Sequence, residues 1–169
     1  MKPQCGLIGQ QISESLSPFI HEKAQEYLGK NLDYGLFSLK ETEVTGFLDK
    51  FWQEGGLGLN VTSPYKGLVA RLIKSPLKSV NTLWRGKNYW SACSSDIRGL
   101  ESFLLSEKKS LLSYEHIFCL GAGGVVCALT DYLDKFALKQ LNINYFSRQA
   151  LYSKNKLTRA NKNLEQKFF

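Results

Sequence analysis

Apolar and polar positions follow two periods along this chain, and the places where the period changes mark its elements. Residues 5–9 (Cys-Gly-Leu-Ile-Gly) form a short, nearly continuous apolar run, the pattern of a buried strand. From Ser17 the period lengthens. Phe19, Ile20, Ala24, Tyr27 and Leu28 lie on one helical stripe. Ser17 is the expected N-cap, with Pro18 at the first helical position and Gly29 past the end. Residues 33–39 read as a second strand, and residues 42–54 as a helix with Val44, Phe47, Leu48, Phe51 and Trp52 on one face and Gly55-Gly56 as its stop. Residues 57–61 make a third strand. Pro64 is then expected to open a helix to about Ile73. Residues 79–85 and 88–92 read as a hairpin turning at Gly86-Lys87, and residues 96–105 as a helix linking two domains.

The polar stretch 106–110 marks a domain boundary. Beyond it come a strand at 117–120, a glycine turn, a helix at 123–137 and a strand at 143–146. Residues 150–168 carry Leu157, Ala160, Leu164 and Phe168 at helical spacing. Strands alternating with helices imply an α/β protein. The expected architecture is an α/β domain with a mixed sheet over 1–105, then a Rossmann-type domain over 106–169. The second domain is expected to be incomplete. A doubly wound sheet uses about six strands, and only 45 residues follow Gly124.

Composition narrows the class. Hydrophobic residues at 43% and charged residues at 22% suit a soluble domain with a core. No apolar run reaches the roughly 18 residues of a membrane span, and the first residues lack the apolar stretch of a signal peptide. A cytoplasmic protein is expected. The net charge of +7 does not point to nucleic acid. Residues 148–169 hold six Lys and Arg against Glu165 alone, so the excess sits in one terminal segment with little aromatic interleaving, the pattern of a solvated helix face. Cys5, Cys93, Cys119 and Cys127 form no C-x-x-C pair, and His21 and His116 are far apart, so a metal site is not expected. The thiols read as reduced and mostly buried.

Candidate chemistry clusters in four polar segments and one glycine turn. Asn60-Val61-Thr62-Ser63-Pro64-Tyr65-Lys66 puts an amide, a hydroxyl and an amine at the end of a strand, where α/β proteins place their sites. Ser13–Pro18, Ser79–Leu83 and Ser95–Gly99 share its character. Gly121-Ala122-Gly123-Gly124 stands between a strand and a helix and would turn backbone N–H groups and the helix N-terminus toward a pyrophosphate; a plain tight turn would use the same residues. At the end of the next strand stands Ser147-Arg148 with no acid nearby, which favours NADP over NAD.

In order along the chain, Ser15-Leu16-Ser17-Pro18, Asn60-Val61-Thr62-Ser63-Pro64-Tyr65-Lys66, Val80-Asn81-Thr82-Leu83, Asp96-x-x-Gly99 and Gly121-Ala122-Gly123-Gly124 resemble the shikimate dehydrogenase family. The resemblance runs from Cys5 to Arg148. It implies NADP-dependent, reversible reduction of 3-dehydroshikimate to shikimate, in the formation of chorismate and the aromatic amino acids. Lys66 and Asp96 would be catalytic, the lysine giving and taking the proton of the carbonyl oxygen. Ser15 and Ser17 would bind the substrate carboxylate, although Ser17 also suits a plain helix cap. Asn60, Thr62 and Asn81, with Lys66 and Asp96, would hold the ring hydroxyls; Asn81 could equally bond its own turn. Gly121, Ala122, Gly123, Gly124, Ser147 and Arg148 would bind NADP.

The chain departs from the family pattern in ways that bear on activity. Lys66 and Asn81 are 15 positions apart, a shorter connection than the family's, which is expected to shift one relative to the other. Ser94-Ser95-Asp96-Ile97 stands where the family has Asn-Thr-Asp-Gly, and Ser147 replaces an Asn. The later cofactor-domain strands and a C-terminal helix that brings a glutamine to the substrate are missing from the pattern. Alternatives to the dehydrogenase are therefore a truncated, inactive substrate-binding relative or a quinate/shikimate dehydrogenase. Expected partners are the small-molecule substrate and either a second copy of the chain or a complementing C-terminal chain, with neither nucleic acid nor membrane.

Overall fold

A computed structural model describes residues 4–109, 113–114, 116–121, 123–135 and 142–146. Two compact units divide the chain, Met1–Ser95 and Asp96–Phe169. The first contains strands β1 (Cys5–Gly9), β2 (Tyr34–Ser38), β3 (Gly58–Val61), β4 (Thr82–Arg85) and β5 (Trp90–Cys93), with helices α1 (Ser17–Leu28), α2 (Val44–Gln53) and α3 (Lys66–Leu72). A 3-10 turn, Glu41–Glu43, leads into α2. The sheet order is β2-β1-β3-β4-β5. β1 runs parallel to β2 and β3, while β4 is antiparallel to both β3 and β5, so the sheet is mixed.

Alternation along the strands gives the sheet two unlike faces. Register pairs Ile8 with Phe37 and Val61, and Leu59 with Leu83; these residues join Val44, Leu48, Phe51, Val69 and Trp90 in one core. The α2 stripe read from the sequence faces this core, with Val44, Leu48 and Phe51 buried and Phe47 and Trp52 packed at its margin. Arg85 closes the end of α2. Its guanidinium lies 4.0 Å from the Trp52 ring centroid, and Nη1 donates to the carbonyls of Trp52 (2.7 Å) and Gly56 (3.0 Å).

The opposite face carries Leu7, Tyr34, Leu36, Asn60 and Thr82. Helix α1 meets the sheet there, but through Ser17 and His21 rather than through its apolar stripe. None of its residues is buried, and Phe19, Ile20, Tyr27 and Leu28 are all exposed. Gly29 ends the helix with φ 60°, a left-handed cap suited to glycine.

Three local expectations are corrected. Leu16, not Ser17, is the N-cap of α1, because the Ser17 hydroxyl is engaged by the side chain of Ser15 instead of by the helix end. Pro64 lies in a turn rather than opening a helix: the Ser63–Pro64 peptide is cis, the Tyr65 N–H donates to the Thr62 carbonyl (3.0 Å), and α3 begins at Lys66. The hairpin turns over four residues, since Arg85 pairs with Trp90 and the Gly86 N–H donates to the Tyr89 carbonyl (3.1 Å).

The second unit contains α4 (Ser95–Ser106, whose first residue belongs to the first unit), β6 (His116–Leu120), α5 (Gly124–Lys135) and β7 (Asn142–Phe146). β6 and β7 are parallel. Ile97 of α4 packs with Cys119 of β6 and with Ala128, Leu129 and Leu133 of α5. The segment 150–168, read as helical from its spacing, lies outside the described residues. All four cysteines are free thiols, but only Cys119 is buried. Burial pushes the Cys5 and Cys119 thiols up, away from the reactive thiolate. Among the described residues, no helix is long and apolar enough to cross a membrane.

Candidate functional site

The polar side of the first unit's sheet opens into a cleft of about 240 Å³, lined by Ser17, Ile20, His21, Asn60, Val61, Thr62, Lys66 and Asn81. Five residues picked out in the sequence, Ser17, Asn60, Thr62, Lys66 and Asn81, are therefore brought together. Local structure explains how. Asn60 stands near the end of β3. Thr62 follows it, its N–H donating to the Ile8 carbonyl at 3.0 Å. Lys66 is the first residue of α3, a helix fixed by Val69 and Ala70 in the core. Tyr65, the N-cap, is 1% exposed, and its hydroxyl donates to the Leu39 carbonyl at 2.6 Å.

The short connection between Lys66 and Asn81 does not separate them. The Val80 N–H donates to the Lys66 carbonyl at 3.2 Å, which draws the incoming segment alongside the start of α3. Asn81 then holds Ser95 with two bonds. Its Nδ2 donates to Ser95 Oγ (2.9 Å), and its Oδ1 accepts from the Ser95 N–H (2.8 Å) and from the Thr82 hydroxyl (3.1 Å). The Ser95 N–H is one of the orphan donors at the start of α4, so Asn81 serves as its acceptor. Asp96 is the next residue of that helix.

Ser15 does not line the cleft but supports it. Its hydroxyl donates to Ser17 Oγ at 3.1 Å and accepts from the Ser17 N–H at 3.2 Å. Gly9 keeps the wall behind Thr62 thin, since a Cβ there would meet Thr62 Cγ2 at 2.6 Å and Ile12 Cγ2 at 2.5 Å.

Two residues of the site escaped the sequence reading. His21 Nε2 is 3.0 Å from Asn60 Oδ1, and the Tyr34 hydroxyl donates to the same oxygen at 2.8 Å. The two rings stack with centroids 4.1 Å apart and an interplanar angle of 15°. His21 could have been found as the residue one helical turn after Ser17. Tyr34 carried no local signal.

Burial pushes the Tyr34 hydroxyl up to about 12 from 10.0, a hydrogen bond from Ser17 opposing the shift in part. The fold thus favours the neutral phenol, a contribution intact below pH 10 and lost as pH rises toward 12. The urea midpoint of the native protein should fall across that interval, and fall less in Tyr34→Phe. A slope unchanged by the substitution would contradict this assignment.

In the second unit, Gly121 follows β6 with φ 106°, a conformation that favours glycine, and Gly124 begins α5. A Cβ at Gly121 or Gly123 would meet nothing within 4 Å, so the backbone at this helix start is open to approach. This strand–glycine–helix arrangement fits the pyrophosphate of a dinucleotide. Ala122, Ser147 and Arg148 lie outside the described residues.

Residues 7–83 match the family described as the shikimate dehydrogenase substrate binding domain. A "Shikimate dehydrogenase (NADP(+))" of Prochlorococcus marinus (strain AS9601) is 32% identical over 148 residues, covering 81% of this chain and 49% of that protein. One of the same name from Bordetella petrii is 33% identical over 129 residues, covering 72% of this chain and 45% of its own length. A crystal structure of a shikimate dehydrogenase in complex with NADP+ superposes with a TM-score of 0.70 at 27% identity, over 86% of this chain and 51% of that one. The chain spans about half the length of the curated relatives it matches.

Proposed function

We propose, from the match of residues 7–83 to the shikimate dehydrogenase substrate binding domain family, that this protein serves the NADPH-dependent, reversible reduction of 3-dehydroshikimate to shikimate in the cytoplasm. The observation that carries this reading is the convergence of Ser17, Asn60, Thr62, Lys66 and Asn81 on one cleft. Hydroxyls, amides and one ammonium suit a small carboxylate that bears several hydroxyl groups. Residues 1–105 would bind substrate, and residues 106–169 would form the Rossmann-type, NADP-binding part.

Ser15 and Ser17 precede and open α1, where an anion is favoured by the helix dipole, and would receive the substrate carboxylate. Asn60, Thr62 and Asn81 would orient the ring hydroxyls. Gly121, Ala122, Gly123 and Gly124 would hold the NADP pyrophosphate, and Ser147 and Arg148 its 2′-phosphate. NADPH held by these residues would supply a hydride to the ketone carbon. Lys66 would supply the proton that the carbonyl oxygen needs at the same time, and Asp96 would accept a hydrogen bond from the ammonium and the product hydroxyl. Ketone, hydride and proton together would make the shikimate hydroxyl, leaving NADP⁺ and a neutral lysine amine.

The test is NADPH absorbance after adding 3-dehydroshikimate to the purified native protein, alongside calorimetric titration with shikimate and with quinate. Consumption of NADPH is expected. Saturable shikimate binding without NADPH consumption would instead favour a substrate-binding relative. Binding of neither compound would end this reading.

A further inference from the structure

Asn60 faces the polar edges of two rings stacked on each other, and both reach its carboxamide oxygen. A carbonyl oxygen offers two acceptor sites, and the Tyr34 hydroxyl and His21 Nε2 fill both. Sheet register makes this possible. Tyr34 pairs with Cys5, and Asn60 with Leu7, so both side chains rise on the same face from strands flanking β1. His21 reaches them from α1 above that face.

The sense of the bonds at Asn60 follows from the groups that face its oxygen, beside a serine pair at the start of α1. The Ser17 N–H, which can only donate, binds Ser15 Oγ; Ser15 Oγ donates to Ser17 Oγ. The Tyr34 hydroxyl sends its hydrogen to Asn60 Oδ1 at 2.8 Å. An oxygen that accepts from Tyr34 also requires hydrogen on the facing nitrogen of His21, since two acceptors at 3.0 Å would repel.

We propose that His21 and Tyr34 are positioning residues that saturate the Asn60 carboxamide oxygen and thereby present its two amide hydrogens to an acceptor oxygen of the ligand in the cleft. Asn60 could otherwise rotate its amide and offer either a donor or an acceptor. Anchored in this way it offers only donors. A ligand is then recognised through a lone pair at this point, and a ligand offering only a C–H there leaves the amide unpaired. The inference about the ligand rests on the proposed shikimate site; the inference about the amide does not.

Nitrogen-15 NMR of the His21 ring tests the anchoring directly. The chain has two histidines, so His116→Gln leaves His21 alone in the ring-nitrogen spectrum. The neutral ring should carry its hydrogen on Nε2. A hydrogen on Nδ1 would overturn the proposal, because His21 would then accept from the Asn60 amide and the carbonyl would face the ligand. Shikimate titration supplies the second readout. Tyr34→Phe and His21→Leu should each weaken binding roughly tenfold, whereas His21→Gln, which keeps an N–H donor, should retain most of the affinity. Native-like binding by both Tyr34→Phe and His21→Leu would overturn the proposal even with hydrogen on Nε2. If the native protein bound no shikimate while His21 carried its hydrogen on Nε2, the function reading would fail and the anchoring would stand.

Discussion

In the proposed reduction of 3-dehydroshikimate, Lys66→Met should lower turnover by a factor on the order of 10² to 10⁴, the usual contribution of a positioned general acid. Methionine keeps much of the lysine stem and removes the ammonium, so the change falls on chemistry more than on packing. The position itself is rigid. Lys66 follows the buried Tyr65, and three and four residues later Val69 and Ala70 pin α3 to the core at 0% and 1% exposure. Affinity for shikimate should fall much less than kcat, because Ser17, Asn60, Thr62 and Asn81 remain in the cleft. Lys66→Arg separates charge from proton transfer. Arginine keeps the positive charge but does not give up its proton, so it should restore binding without restoring turnover. Steady-state NADPH oxidation and calorimetry check both points, and native-like kcat in Lys66→Met would remove the lysine from the mechanism.

Tyr65→Ala should destabilise the first unit by about 3–5 kcal/mol, the range for deleting a buried aromatic side chain. Tyr65 is 1% exposed and belongs to the core that includes Ile8, Val44, Val61 and Leu83. Tyr65→Phe keeps the ring and loses the bond to the Leu39 carbonyl, so it should cost about 1 kcal/mol. All three tryptophans, Trp52, Trp84 and Trp90, lie within Met1–Ser95. Urea unfolding followed by tryptophan fluorescence therefore reports this unit. Equal midpoints for the native protein and Tyr65→Ala would contradict the role given to this core. The two experiments also bear on each other, since the residue that stabilises the start of α3 directly precedes the lysine.

By itself, the sequence determined the order of strands and helices, the inward stripe of α2 and the residue types around the cleft. These depend on neighbours two to four positions apart, within reach of a periodic pattern. Residue motifs likewise single out Ser17, Asn60, Thr62, Lys66 and Asn81.

Tertiary structure decided what those residues do to one another. Ser17 suits a helix cap by residue type, yet its hydroxyl is engaged by Ser15 and the cap passes to Leu16. The apolar side of α1 suits a core by periodicity, yet the helix turns Ser17 and His21 toward the sheet. His21 and Tyr34 reach Asn60 from 39 and 26 residues away, and Asn81 reaches Ser95 across 14. No local pattern encodes such bonds. They exist because the register of β1 with β2 and β3 sets Tyr34 and Asn60 on one face, and because α1 crosses that face with a histidine one turn beyond Ser17. A hydrogen bond needs two groups within about 3 Å and correctly aimed, and only the folded sheet supplies that condition.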